Sequence, residues 1–274
     1  MQIPLWQVDA FTGVAFRGNP AAVCLLEKPL VPAVMQSIAA EMNLSETAFL
    51  VPLDTADCAQ ARTFALRWFT PTVEVPLCGH ATLASSAVLF GETGSVHREI
   101  EFQTASGKLC SRKTEHGLEI DLPGCPSHSI PCPESVLGPL GIADVEEARL
   151  ANDGRKLLLR LPPKTDLRAI APDFSALLVA VPPGVRGVVV TQKSAPPYDF
   201  ISRYFAPWAG VPEDPVTGAA HCALGPYWGE VLQKNQLAAH QASARGGDLM
   251  LRLSGDRVLL SGKAVVVFEG KLRL

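Results

Sequence analysis

The stretch Arg67-Trp68-Phe69-Thr70-Pro71-Thr72-Val73-Glu74-Val75-Pro76 has a counterpart 136 positions later, Arg203-Tyr204-Phe205-Ala206-Pro207-Trp208-Ala209-Gly210-Val211-Pro212. Five of the ten positions are identical, and the offset is almost half of the 274-residue chain. Each copy then reaches a glycine that opens an apolar segment, Gly79 in the first and Gly218 in the second. Repetition at a fixed offset is the mark of repeated structural units. The sequence therefore predicts two pseudo-symmetric halves that contain both strands and helices.

Outward from these stretches, β-favouring apolar runs alternate with a few segments of helical spacing. Strands are predicted at Ile3–Asp9, Ala21–Leu26, Thr47–Val51, Arg62–Phe69, Glu99–Gln103, Lys108–Arg112, Leu118–Leu122, Lys156–Leu161, Val185–Thr191, Asp199–Phe205 and near 248–253, 257–261 and 264–268. Helices are predicted at Val34–Met42, from Gly79 to about Phe90, near Ala169–Ala180 and from about Gly218. The fold class is α+β.

A proline-rich segment separates the halves. Pro123, Pro126, Pro131 and Pro133 cannot sustain a helix or a central strand. The predicted organisation is an amino-terminal half at 1–122, a linker at 123–135 and a carboxyl-terminal half at 136–274, whose last strand is allowed to pack on the first half.

Composition excludes several classes of protein. The formal net charge is −3 with no long basic run, so a nucleic-acid partner is not expected. The seven cysteines are scattered without a C-x-x-C pair, which argues against a disulfide framework or a thiolate zinc site. No run of about 18 apolar residues suggests a membrane span, and the first residues do not resemble a signal peptide. A cytoplasmic protein without metal or cofactor is expected.

The two repeat glycines indicate a binding site for an anion. Each of them opens a helix, and the first N–H groups of a helix attract negative charge. If both ends face one cleft, they suit a small carboxylate. For either glycine taken alone, the alternative interpretation is that it merely permits a tight turn.

Cys78 and His80 lie at the first of these helix starts. A helix N-terminus favours the thiolate form of cysteine, although a lone cysteine is as often a small buried hydrophobic residue. A cysteine hydrolase is less favoured, because His80 is only two residues away and no orienting third group is apparent. His80 can bond a substrate or move a proton near neutral pH. His221 is interpreted as a structural residue of its helix.

Two carboxylates, Glu46 and Asp214, are less distinctive by spacing alone. Glu46 follows a helix and precedes a strand, so a capping role is excluded, but a solvated side chain is the default interpretation. Asp214 precedes Pro215, where a turn-initiating aspartate is common.

Together, the motifs of the chain resemble those of the phenazine biosynthesis-like protein family, which shares the diaminopimelate-epimerase fold, and most of all its animal-type members. The similarity covers nearly the whole chain and is carried by Asp9-Ala10-Phe11-Thr12, Gly18-Asn19-Pro20-Ala21-Ala22-Val23, Met42-Asn43-Leu44-Ser45-Glu46-Thr47-Ala48-Phe49, Trp68-Phe69-Thr70-Pro71, Cys78-Gly79-His80-Ala81-Thr82, Glu213-Asp214-Pro215-Val216-Thr217-Gly218 and Arg245-Gly246-Gly247. The resemblance implies two domains, each a β-barrel-like sheet around a central helix, with the site in the cleft between them.

The resemblance also implies roles for individual residues. Glu46 matches the glutamate that moves a proton in the phenazine enzyme, which isomerises a dihydro-hydroxyanthranilate without cofactor or metal. His80 and Asp214 match the histidine and aspartate near the substrate. The substrate-binding positions predicted in this way are Asn19, Ser45, Cys78, Gly79, Thr217, Gly218 and Ala219.

Two positions depart from the patterns of the family. The epimerases place a cysteine on each side of the substrate, whereas here Cys78 matches the first and Thr217 stands at the second. A threonine hydroxyl is far too weak an acid to replace a thiolate base, so two-thiol epimerisation is disfavoured. Ala219 replaces a serine of the phenazine enzyme and removes a hydroxyl contact.

The leading hypothesis is a cofactor-independent isomerase that moves a proton on a small carboxylate-bearing metabolite, with Glu46 as general acid/base. An amino-acid racemase or epimerase that uses Cys78 is the second hypothesis. A non-catalytic protein that keeps the fold for partner binding is the third. A homodimer is expected from the resemblance, and neither nucleic acid nor membrane is expected as a partner.

Overall fold

The computed structural model describes residues 1–115 and 117–274 and divides the chain into two compact units. Unit 1 comprises Met1–Leu122 together with Leu259–Leu274, and unit 2 comprises Pro123–Val258. The predicted α+β class is confirmed, with strands predominating and few helices. Within the described ranges, no helix combines the length and the apolarity that crossing a bilayer requires.

Unit 1 is a mixed sheet with two helices. Its strands up to the unit boundary are β1 (Gln2–Ala10), β2 (Asn19–Leu25), β3 (Glu46–Pro52), β4 (Thr63–Phe69), β5 (Glu74–Val75), β6 (Glu99–Thr104), β7 (Gly107–Thr114) and β8 (Gly117–Pro123). Its helices are α1 (Pro32–Met42) and α2 (Gly79–Ala87), and α2 is continued by a π-helical turn at Val88–Glu92.

Unit 2 repeats this plan. Its strands are β9 (Ser127–Ile130), β10 (Glu147–Ala151), β11 (Lys156–Arg160), β12 (Gly187–Lys193), β13 (Phe200–Ala206), β14 (Val211–Asp214), β15 (Gln236–Gln241) and β16 (Gly247–Ser254). Its helices are α3 (Leu137–Leu140), α4 (Phe174–Ala180) and α5 (Gly218–Leu232), with 3₁₀ turns at Glu134–Val136, Leu167–Ala169 and Pro207–Ala209.

The last strands are β17 (Arg257–Gly262), in which the unit boundary falls, and β18 (Ala264–Arg273). β18 runs antiparallel to β1 along its whole length, from Gln2 opposite Arg273 to Ala10 opposite Ala264, with one irregularity between Gln7 and Val8. Long antiparallel pairing of this kind ties the end of the chain into unit 1.

The strand pairings of the two units follow the same order. In unit 1, β1–β2 is antiparallel, β2–β3 parallel, β3–β4 antiparallel, β4–β6 parallel and β6–β7 antiparallel. In unit 2, the same alternation runs through β10–β11, β11–β12, β12–β13, β13–β15 and β15–β16. The short strands β5 and β14 are corresponding hairpin partners of β4 and β13. The repeat in the sequence therefore coincides with a repeat in topology.

Helix α2 lies in the core of unit 1, where it packs against β1, β2 and β3. All residues from Gly79 to Ser86 are buried, and most of them are small, which lets the strands approach closely. Their hydroxyl groups are satisfied within the helix, since Thr82 donates to the carbonyl of Cys78 and Ser85 to that of Ala81. The hydroxyl groups of this buried helix therefore need no hydrogen bonds from solvent.

Helix α5 is buried over most of its length and contains Pro226 in its interior. Proline has no N–H, so the carbonyl four residues earlier, on Cys222, loses its helical donor. The backbone N–H of Cys125 donates to that carbonyl at 2.9 Å and replaces the missing bond. A backbone N–H of the proline-rich segment thus replaces the N–H that Pro226 lacks.

The structure differs from the predicted secondary structure in three respects. The segment at 123–135 contains the strand β9, because the four residues between Pro126 and Pro131 keep their N–H groups. The helix predicted near Ala169–Ala180 is wrong in its first half: Pro172 stops helical continuation, and α4 begins only after Asp173, whose side chain caps Ala176. The strands β5, β10, β14 and β15 were not predicted, and each has six residues or fewer.

Candidate active site

The start of helix α2 in unit 1 brings together several of the predicted residues. Cys78 occupies the N-cap in an extended conformation, φ −142° and ψ 110°, and provides no side-chain cap. Gly79 is the first helical residue. The opening N–H groups of a helix lack intrahelical partners, and here the side chain of Cys78 does not cap them.

His80 is the centre of this group of side chains. Its side chain is only 4% exposed. On one edge of the ring, Nδ1 lies 3.1 Å from Nδ2 of Asn19 and 3.5 Å from Sγ of Cys78. On the opposite edge, Nε2 lies 3.2 Å from Oε2 of Glu46, whose side chain remains 18% exposed. A buried imidazole thus adjoins a carboxylate that solvent still reaches.

Burial decides the charge of this ring. Removal from water disfavours the imidazolium and lowers the pKa of His80 to about 3. The ring is therefore neutral near pH 7 and carries one N–H. In that state one ring nitrogen can donate a hydrogen bond and the other can accept one.

Asn19 reaches His80 from the first residue of β2 and is fully buried. The loop that precedes it is held from inside, because the carboxylate of buried Asp9 accepts the N–H of Phe16 at 2.6 Å. Gly18 completes the loop with φ +65°. A Cβ at that position would lie 2.1 Å from the carbonyl oxygen of Ala10, so only glycine fits.

Replacing Gly18 by alanine is expected to lower the free energy of unfolding by about 2–5 kcal/mol, from left-handed strain plus overpacking. Gly94 is the matched control, because its φ is +68° and a Cβ there meets nothing within 4 Å. Gly94→Ala should cost only about 1–2 kcal/mol. Urea denaturation of both variants measures the difference, and equal losses would contradict the close approach at Gly18.

Unit 2 places Asp214, Thr217 and Gln241 in one hydrogen-bonded network. Thr217 donates its hydroxyl to Oδ2 of Asp214 at 2.5 Å. Fully buried Gln241 accepts the backbone N–H of Thr217 at 2.9 Å and donates to the carbonyl of Asp214 at 2.6 Å. Gln241 was not singled out in the sequence, because its strand β15 was missed and a lone glutamine carries no spacing signal.

The remaining predicted residues lie next to these groups in each unit. Gly218 opens α5 directly after Thr217, and Ala219 follows it, half-buried. Ser45 is half-buried immediately before β3. His221 faces inward, with Nδ1 2.8 Å from the carbonyl oxygen of Thr217 and its ring stacked on Phe200, as a structural residue of α5 would.

His80 and His221, the histidines that are buried among the described residues, make stability depend on pH. Burial lowers the pKa of His221 to about 4 and that of His80 to about 3, both below the 6.5 of a free imidazole. As pH falls below 6.5, the unfolded chain binds protons that the folded chain does not. The contribution of these two histidines to the free energy of unfolding is therefore fully present above pH 6.5. It falls below that pH, with a slope approaching about 2.7 kcal/mol per pH unit for two sites.

Urea denaturation at pH 8, 6.5 and 5 measures this slope. His221→Gln should reduce the slope between pH 6.5 and 5 by about half, since one of two titrating sites is removed. His128→Gln, at an exposed position, should leave it unchanged. A free energy of unfolding that stays constant from pH 8 to 5 would contradict the neutral, buried state of both rings.

Glu46, Cys78 and His80 offer three atoms of metal-ligand type within 4.8 Å of one another. Cys78 faces Nδ1 of the imidazole, whereas Glu46 faces Nε2. The expected absence of a metal stays a prediction.

Comparisons with known proteins agree on one family. The sequence profile of the phenazine biosynthesis-like proteins matches residues 8–270. Phenazine biosynthesis-like domain-containing protein 1 from Mus musculus is 46% identical, with 99% of each chain covered. An uncharacterized isomerase from Halalkalibacterium halodurans is also 46% identical, with 100% of each chain covered.

Solved structures agree with this assignment. The crystal structure of a phenazine biosynthesis protein of the PhzF family from Enterococcus faecalis covers 100% of both chains at 42% identity, with a TM-score of 0.91. A hydroxyproline epimerase from Agrobacterium vitis, 12% identical, has a TM-score of 0.60 over 99% of this chain and 92% of its own, a likeness of fold alone. The chain belongs to the phenazine biosynthesis-like protein family.

Proposed function

We propose that the protein is a cofactor-independent isomerase that moves a proton on a small carboxylate-bearing metabolite, with Glu46 as general acid/base. The observation that carries the proposal is the position of Glu46, 3.2 Å from a neutral, buried histidine and itself partly exposed. A fixed carboxylate that both solvent and a ligand can reach is suited to proton transfer. Relatives named as isomerases support the reaction class.

In the proposed reaction, the carboxylate of Glu46 takes a proton from a substrate carbon next to a double bond. The electrons of that C–H bond form a new double bond while the original double bond opens toward another carbon. The protonated Glu46 then returns the proton to another carbon, so the product is an isomer and nothing is consumed. The opening N–H groups of α2 at Gly79 bind the substrate carboxylate. The substrate contacts of Asp214, Gly218 and Ala219 stay predictions from the resemblance.

Solvent-deuterium incorporation tests this function. Purified protein is incubated in D₂O with a panel of cyclic and linear amino and hydroxy acids that includes trans-2,3-dihydro-3-hydroxyanthranilate, and mass spectrometry reads the exchange. Incorporation that requires Glu46 supports the proposal. A substrate that is isomerised equally well by a Glu46→Gln variant would overturn the role of Glu46.

A racemase or epimerase that uses Cys78 is the second candidate, favoured by the position of its Sγ at the N-cap of α2 and 3.5 Å from His80 Nδ1. Cys78→Ala would then abolish exchange at a stereogenic carbon, whereas the Glu46 mechanism predicts a much smaller loss. The hydroxyl of Thr217 is unsuited to act as the second thiol. A homodimer remains a prediction from the resemblance, and light scattering in solution tests it.

A further inference from the structure

The side-chain amide of Asn19 touches His80 at a place that decides the position of its proton. Asn19 is fully buried, and its Nδ2 lies 3.1 Å from Nδ1 of the ring. An amide nitrogen donates hydrogen bonds and does not accept them. A ring nitrogen that accepts such a bond must be unprotonated, and Cys78 Sγ, 3.5 Å from the same nitrogen, offers a second, weaker donor.

The surroundings of Nε2 also indicate that Nδ1 is unprotonated. A neutral imidazole has one N–H, so a bare Nδ1 leaves the hydrogen on Nε2. Nε2 is buried and makes no hydrogen bond among residues 1–115 and 117–274, while Oε2 of Glu46 lies 3.2 Å away. With the hydrogen on Nδ1 instead, Nε2 and the carboxylate of Glu46 would be two acceptors face to face.

The geometry points to Asn19 as a positioning residue that fixes the Nε2–H tautomer of His80, so that this N–H is directed at Oε2 of Glu46 and orients the carboxylate that exchanges the proton with the substrate. This assignment replaces direct substrate binding as the role of Asn19, and it rests on the proposed function of Glu46. Hydrogen bonds of this kind are often loose without substrate and tighten when it binds.

The arrangement explains why a histidine with so little exposure is useful beside the acid/base. If both oxygens of Glu46 were equivalent, the carboxylate could turn between two orientations and lose alignment with the substrate. A single N–H donor on one oxygen removes that freedom. The partner on the far nitrogen fixes which ring atom carries the hydrogen, as second partners of functional histidines commonly do.

Nitrogen NMR of the protein labelled with ¹⁵N-histidine tests the tautomer without any substrate. The His80 signals are assigned by their loss in His80→Gln. We expect the wild-type protein at pH 7 to show a protonated, pyrrole-type Nε2 and a bare, pyridine-type Nδ1. A protonated Nδ1 in the wild-type protein would overturn the inference, whatever the protein catalyses.

Asn19→Asp provides the second readout, because it keeps the shape of the side chain and replaces the donor by an acceptor. We expect it to move the hydrogen of His80 to Nδ1, or to make the ring doubly protonated, and to slow deuterium exchange at least about tenfold. Asn43→Asp, at an exposed position of the same unit, is the matched control and should change neither.

The role of Asn19 and the proposed isomerase function can be contradicted independently of each other. An Asn19→Asp protein that stays folded, with an unchanged His80 tautomer or with full exchange activity, contradicts the role of Asn19 and leaves Glu46 as the base. A wild-type protein with the expected tautomer that moves no deuterium on the whole panel contradicts the proposed isomerase, while the tautomer assignment stands.

Discussion

Glu46→Gln is expected to lower the rate of deuterium exchange by about 100- to 10,000-fold, the usual contribution of one general acid/base. Glutamine has the shape of glutamate, and its carbonyl oxygen can still accept the N–H of His80, so the side chain should keep its place 3.2 Å from the ring. It cannot take up a proton from carbon. The fold should therefore survive while the chemistry is lost.

Glu41→Gln is the matched control for charge, since Glu41 lies exposed on α1, five residues before Glu46. Its exchange rate should equal that of the wild-type protein. Circular dichroism and urea denaturation establish that both variants fold. An intact Glu46→Gln protein with more than a tenth of the wild-type rate would show that another group moves the proton, and Cys78 would be the next residue to test.

Arg203→Met is expected to cost about 3–5 kcal/mol of stability, because it leaves a carboxylate and several carbonyl groups without their partner. Arg203 is buried on β13, and its guanidinium forms two bonds to Glu213, at 2.7 and 2.9 Å. It also donates to the carbonyl of Ile170 at 2.6 Å and to that of Leu167 at 3.2 Å. Methionine fills the space but satisfies none of these acceptors.

The internal repeat supplies the control for this prediction. Arg67 stands at the corresponding position of unit 1, pairs with Glu74 through two bonds of 2.7 Å, and is about one-third exposed. Because water screens that pair, Arg67→Met should cost less than about 1 kcal/mol. Urea denaturation of both variants gives the comparison. A similar loss for the two would show that the carbonyl contacts of Arg203 add nothing.

The candidate site could be predicted only in part from residue spacing. The helix starts at Gly79 and Gly218 follow from the repeat, and the structure places Cys78 and Thr217 at the two N-caps. Glu46 by spacing alone looked like an ordinary solvated carboxylate, and the resemblance was needed to single it out. The reason is physical: its neighbour His80 is 34 positions away, and no local pattern records such a contact.

The duplicated plan of strands and helices can be read from the sequence alone, because alternating apolar residues, prolines and small-residue runs act over a few positions of the chain. The chemistry of the site depends on contacts between distant positions. The parallel register of β2 and β3, with Ala21 opposite Glu46, brings Asn19 and Glu46 to the same end of the sheet. Burial there makes His80 neutral, and burial depends on the packing of the whole unit rather than on the residues beside it in sequence.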